Sequence, residues 1–266
     1  MIAAGRLREL AGYRELLANL TVRDLKLKYK GSILGVGWSL LNPLIMMVIY
    51  YAVFSVFLRA VVLPNYWALV LGGLLAWIFF SQALSAASIS FVRTSSLITK
   101  VYFPIETLPL ANVLAHFINF VIMLALLILV LFVARIPLGP SLVLLPVIVF
   151  AHLAFTIGLG LFLATVTVYF RDLEHVVTLA TTALFYVTPV LYPLDPAALP
   201  HGAARFIPYV KINPLTWFLE SYHAVLYYGT WPDPTEFTGM LAAALVALAG
   251  GYLFFSWLRP RIPEEV

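Results

Sequence analysis

The sequence predicts an all-α integral membrane protein of six transmembrane helices, and three observations carry that prediction. Of the 266 residues, 63% are hydrophobic and 11% are charged, against about half and about a quarter in a soluble domain. The apolar residues come in long runs, each near the ~20 residues that cross a bilayer. Seven of the 16 Lys and Arg precede the first run: Arg6, Arg8, Arg14, Arg23, Lys26, Lys28 and Lys30. Placed there, they mark a cytoplasmic flank rather than a nucleic-acid surface.

Residues 1–32 read as an amphipathic cytoplasmic interface helix, and 33–266 as one six-span membrane domain. Leu10, Tyr13, Leu17 and Leu20 recur at near-helical spacing, with Arg8, Arg14 and Glu15 on other faces. Such a helix lies along the membrane surface; a partly ordered basic tail is the alternative. Spans are expected at about 34–58, 67–91, 108–133, 142–168, 176–191 and 240–257. Asn42-Pro43 predicts a kink or a wide turn in the first, and Pro146 lies near the start of the fourth. Gly31-x-x-x-Gly35 is either a helix-contact motif or a turn from the surface helix into the first span. No loop is long enough to fold alone. No cleavable signal peptide is apparent, because the first apolar run is too long for one.

Residues 213–229 are apolar enough to enter a membrane, but Glu220 and His223 share a face at i and i+3. A full span would hold that pair near the bilayer centre at a cost of a few kcal/mol, so a short re-entrant or interfacial helix is expected. Pro189, Pro193, Pro196, Pro200, Pro208 and Pro214 divide the surrounding chain into short pieces. With six spans and both termini inside, twelve basic residues lie on inner segments; Arg59, Arg135, Arg205 and Lys211 lie on outer ones. That bias is the positive-inside pattern.

The absence of cysteine excludes disulfides, thiolate metal sites and cysteine catalysis. There is no G-x-x-x-x-G-K-[ST], no G-x-G-x-x-G after a strand and no H-E-x-x-H. The chain therefore has no motif for hydrolysing ATP, and any coupling to ATP needs another subunit. Asn112, His116 and Asn119 share one face of the third span at i, i+4 and i+7. They line a polar pathway or hydrogen-bond between helices. Tyr50, Phe54 and Phe57 continue Met47 along the first span. Phe185, Pro189 and Tyr192 do so in the fifth, with Tyr186 beside them. These rings either stack on flat ligand faces such as those of sugars or pack in the bundle. Trp67, Trp231 and Trp257 fall near span ends, where an aromatic belt is expected.

Four stretches together resemble one family. They are NLTVRDLKLKYKGSILGVGWSLLNPL, RTSSLITKVYFPIETLPLANV, VYFRDLEHV and INPLTWFLESYHAVLYYG. In this order they are similar to the permease subunits of ABC-2 type polysaccharide exporters, which carry O-antigen, teichoic acid or capsular chains. The resemblance covers nearly the whole chain. It implies a homodimer bound to two copies of a separate ABC ATPase, which holds ATP and Mg²⁺, and no cofactor on this chain. It implies that Arg23 and Asp24 of the surface helix contact the ATPase. So would Arg93, Ser95, Ser96, Lys100 and Tyr102 of the coupling loop, and Arg171 and Asp172 of the second inner loop. Residues 193–230 would close the outer mouth, with Glu220 and His223 at the gate. Tyr50, Phe54, Phe57, Phe185 and Tyr192, with the polar stripe of Asn112, His116 and Asn119, would line the translocation path.

The implied setting is the bacterial cytoplasmic (inner) membrane, with both termini cytoplasmic, membrane lipid and a lipid-linked glycan as partners, and no nucleic acid. The alternatives are an ABC-2 exporter of a drug or lipid and, more distantly, a polytopic membrane enzyme with Glu220 and His223 as acid and base.

Overall fold

The computed structural model describes residues 12–32, 35, 37–57, 63–98, 100, 103–195 and 202–265. Arg6, Arg8, Leu10, Arg59, Tyr102, Pro196 and Pro200 lie outside them, as do the first run's expected ends. Among the described residues the regular structure is entirely helical. The longer helices are α1 (Arg14–Tyr29), α2 (Gly37–Tyr51), α3 (Tyr66–Ser88), α4 (Thr107–Val133), α5 (Leu145–Tyr169), α6 (Leu173–Val187), α7 (Pro214–His223) and α8 (Pro234–Leu258).

Among the described residues, five segments are long and apolar enough to cross a membrane: Gly37–Phe57, Tyr66–Ser88, Thr107–Val133, Pro140–Tyr169 and Pro234–Glu265. The expected fifth span appears as α6, which is apolar but only 15 residues long. At 1.5 Å per residue that is roughly 22 Å of helix, short of the ~30 Å hydrocarbon core. α2 runs through Pro43 as helix, and the wide π-type turns come later, at Ala52–Phe57. Gly31 and Gly35 both adopt positive φ, 78° and 51°. They form the turn out of α1, because such backbone angles strain any side chain. A Cβ at either would meet nothing within 4 Å, so they are not a helix-contact motif.

α3 is the centre of the bundle: 78% of its spanning window is buried, against 6% for the window of α2. It packs against α4, α5 and α2. α5 and α8 form the most extensive helix pair. They cross at glycines, so closely that a Cβ on Gly251 would lie 1.9 Å from the Gly158 carbonyl oxygen.

The connections sort into two ends. At one end the Tyr66 hydroxyl donates to the Leu191 carbonyl, and the Tyr227 hydroxyl donates to the Pro64 carbonyl at 2.6 Å. Gly139 and Gly229 touch backbone to backbone there. At the other end Leu20 of α1 packs with Phe91, Ile98, Phe103, Ile105, Phe255 and Ile262 in a separate apolar cluster. α1, the 90–106 loop and the 259–265 segment thus share an end, and the segments around residues 64, 138, 191 and 228 share the other. Arg23, Arg93, Arg259 and Arg261 lie at the first end, whereas Arg135 and Lys211 lie at the second. The charge asymmetry read from the sequence is an asymmetry between two ends of one bundle.

Candidate functional site: a two-ended membrane pathway

At the basic end, α1 lies against α4, anchored by Leu20 and Thr21, which are 6% and 4% exposed. The Thr21 hydroxyl donates to the Leu17 carbonyl at 2.7 Å. This seating leaves Arg23 exposed, paired with Asp24 at 2.9 Å. After α3 the chain forms two single-turn helices, Ser90–Arg93 and Ser95–Ile98. Phe91 and Ile98 point into the apolar cluster, and Arg93, Ser96 and Lys100 face outward. Arg171 and Asp172 are exposed just before α6.

The polar stripe of α4 faces protein rather than lipid. Asn112 and His116 line a cleft of about 490 Å³ with Arg23, Asp24, Ser90, Arg93 and Thr94. The Asn112 amide donates to the Leu108 carbonyl at 3.0 Å. One turn further, Asn119 joins Ser39, Asn42 and Gln82 around a second cleft of about 240 Å³ between α2, α3 and α4. His116, Asn119, Ser39 and Gln82 also share a small cavity that lies between the two. Arg23, Asp24 and Arg93, expected to couple to an ATPase, and Asn112 and His116, expected to line a path, therefore meet at one cleft of the basic end.

The aromatic stripes of α2 and α6 meet as well. The rings of Tyr50 and Phe185 are 5.7 Å apart, Tyr50 and Phe54 are 6.5 Å apart, and Phe185 contacts Tyr186 and Trp77. Phe57 stands outside this cluster, 79% exposed. The Tyr192 hydroxyl is turned back onto the Val187 carbonyl at 2.8 Å.

At the opposite end α7 begins sharply because Asn213 caps it. Its side-chain oxygen accepts from the Leu215 amide at 3.1 Å, and its amide donates to Thr188 Oγ1 at 2.9 Å. Pro214 occupies the first helical position, where a missing N–H costs nothing. His223 Nδ1 lies 3.4 Å from Glu220 Oε1, and His223 is 1% exposed. Its Nε2 is buried without a partner, pressed toward Gly73, where a Cβ would sit 3.1 Å away. An acid–base pair needs a face open to substrate, and the imidazole here is closed off against the backbone of α3. Among the described residues no three His, Asp or Glu gather as a metal site.

Three features were not legible in the sequence. His152 of α5 is fully buried among Phe79, Phe80, Phe120 and Phe218, with Nδ1 3.4 Å from the Tyr222 hydroxyl. A lone His in an apolar run was the available signal, and its partner 70 residues away carried none. The ion pairs Glu106–Arg259 and Lys211–Glu236 likewise join segments far apart in the chain.

A bundle of membrane-length apolar helices with one basic end is an integral membrane protein, and the comparisons give its family. The family of ABC-2 type transporters matches residues 15–227, and the chain belongs to that family. It is 36% identical over 260 residues to the O-antigen export system permease protein RfbA of Myxococcus xanthus, covering 97% of this chain and 98% of that one. Two proteins of the same description from Klebsiella pneumoniae are 32% and 34% identical, over 94% and 81% of both chains.

Proposed function

We propose that this chain is the permease subunit of an ATP-driven exporter that moves a lipid-linked polysaccharide of O-antigen type out through the bacterial cytoplasmic membrane. The observation that carries the reading is the near full-length similarity to three O-antigen export permeases. A fragmentary match could reflect a shared membrane architecture alone, whereas one of these covers 97% of the chain and the family match over residues 15–227 takes in the coupling loop and α7.

The working unit is a homodimer with two copies of an ATPase, which supplies ATP chemistry that this chain has no motif to perform. Both termini are cytoplasmic, and α6 with the turns after it completes a sixth crossing. The exposed basic groups of the inner end, Arg23, Arg93, Lys100 and Arg171, receive the ATPase. α2 and α6 are the least enclosed of the membrane helices, α6 burying only Val177 and Thr181. α6 turns His175, Thr178, Thr182 and Tyr186 outward, at helical spacing along one face. The two permeases meet along α2 and α6, and the glycan slides between them over these groups and the Tyr50–Phe185 aromatics. Aromatic and threonine surfaces suit a sliding polymer, because they offer contact without many fixed hydrogen bonds. α7 and the turn after it close the outer mouth, with Glu220 and His223 holding its packing against α3.

The test is to purify the tagged chain from its native membrane in mild detergent. An equimolar subunit with nucleotide-binding motifs is expected. A chain that is stable alone, with normal surface polysaccharide after its gene is deleted, would sink the reading.

A further inference from the structure

An ion pair sits at each end of α8. In its first turn Glu236 Oε1 lies 2.6 Å from Lys211 Nζ, and just past its last turn Arg259 Nη1 lies 3.5 Å from Glu106 Oε1. Lys211 follows the short helix Ile207–Val210 and leads into α7. Glu106 closes the loop that carries Ser90–Arg93 and Ser95–Ile98, and precedes α4. The 25 residues of α8 make a rod of roughly 37 Å, so the two pairs lie at opposite ends of the bundle.

The inner pair is poorly explained by stability. Glu106 is 2% exposed, and its Oε2 is buried with no partner. Replacing a buried ion pair by apolar residues of similar volume is often neutral or stabilising. An apolar contact would hold these segments at least as well, and Ile262, fully buried among Phe91, Ile98, Phe103 and Ile105, already supplies one. What the charge pair adds is a fixed point of attachment between the loop and the end of α8. Between its ends α8 is gripped by α5 at the Gly158–Gly251 crossing, and near its start the Trp217 ring of α7 covers Gly239. A helix held at both ends and packed closely along one face against α5 transmits displacement, because close-packed elements do not deform continuously.

We propose that α8 is a connecting rod. Movement of the 90–106 loop passes through Glu106–Arg259 to α8, and from α8 through Glu236–Lys211 to α7 at the outer mouth. These four are positioning residues for transport, and none contacts the glycan. The inference rests on the ATP-driven exporter reading above.

The test uses the full complex with its ATPase in proteoliposomes, and reads ATP hydrolysis and translocated glycan separately. Glu106→Gln and Arg259→Gln are expected to retain the ATPase subunit and hydrolyse ATP within about twofold of wild type, while glycan moved per ATP falls roughly tenfold. Arg259→Lys, which keeps the charge, is expected to stay close to wild type. Unchanged glycan per ATP in the Gln variants overturns the proposal, as does an Arg259→Lys variant that fails as Arg259→Gln does. If both inner variants misfold, the pair is structural and the inner attachment is overturned. Lys211→Gln then tests the rod from its outer end, where the lysine side chain is 46% exposed and its loss strands no deeply buried charge. Its glycan per ATP is expected to fall, and a wild-type value overturns the outer attachment. A wild-type complex that neither hydrolyses ATP nor moves glycan sinks the exporter reading instead, and that result is distinct because variants and wild type are then alike.

Discussion

Adjacent glycines in α8 should respond oppositely to alanine. A Cβ on Gly251 would lie 1.9 Å from the Gly158 carbonyl oxygen and 2.6 Å from its carbon, whereas a Cβ on Gly250 meets nothing within 4 Å. The obstacle at Gly251 is backbone, so no rotamer change relieves it. α5 and α8 must part by roughly 1 Å, and that loosens the dispersion contacts along the bundle's most extensive helix pair. Overpacking ordinarily costs about 1–3 kcal/mol, and a rigid backbone obstacle places Gly251→Ala near the upper figure. At roughly 2–4 °C per kcal/mol for a chain of this size, the melting temperature should fall by about 6–12 °C. Gly250→Ala should raise stability by up to about 1 kcal/mol, because alanine is the better helix former. Melting in detergent, followed by size-exclusion chromatography after heating, measures both. A Gly251→Ala protein that melts within about 2 °C of wild type would refute the close crossing. So would a Gly250→Ala protein destabilised to the same degree as Gly251→Ala.

Charge reversal of Arg93 and Lys100 to Glu should reduce recovery of the ATPase subunit with the permease, and an undiminished complex would remove them from the contact surface. Tyr50→Ala with Phe54→Ala should lower export without dissociating the complex; normal surface polysaccharide would return both rings to packing. Asp233 caps α8 by accepting from the Thr235 and Glu236 amides at 2.8 and 3.2 Å. Those bonds, the Glu236 amide foremost, hold its carboxyl below the ordinary 3.8. A depressed carboxyl stabilises above its unfolded value and loses that contribution as pH falls through the folded one. Asp233→Ala should therefore melt earlier than wild type at pH 7, with the gap narrowing below about pH 3.8. A gap that is constant with pH would mean the cap is not the ionised carboxylate.

Much of the site was readable because helix periodicity is local. Asn112, His116 and Asn119 do share a face, Glu220 and His223 do pair at i and i+3, and the α2 and α6 aromatics were recognisable as stripes. Their meetings were not readable. Spacing could not say that the α4 stripe faces the inner cleft with Arg23 and Arg93, or that Tyr50 reaches Phe185 while Phe57 does not. The glycine signal was misplaced for a related reason. Gly31-x-x-x-Gly35 has the contact spacing, yet positive φ makes it a turn. The real crossing joins Gly158 to Gly251, which no local pattern connects.

The sequence alone determined that this chain is a membrane bundle and which of its segments carry the positive charge. These follow from composition and run length, because desolvating backbone and charge in hydrocarbon is costly whatever the tertiary arrangement. Only the tertiary structure decided that α3 is the enclosed centre and that α2, α6 and α8 are largely open. It alone showed α8 bracketed by Glu106–Arg259 and Lys211–Glu236. Lipid tails are as apolar as a helix face, so hydrophobicity does not distinguish a helix that meets lipid from one that meets protein. That choice is made by shape and a few polar contacts between residues far apart in the chain.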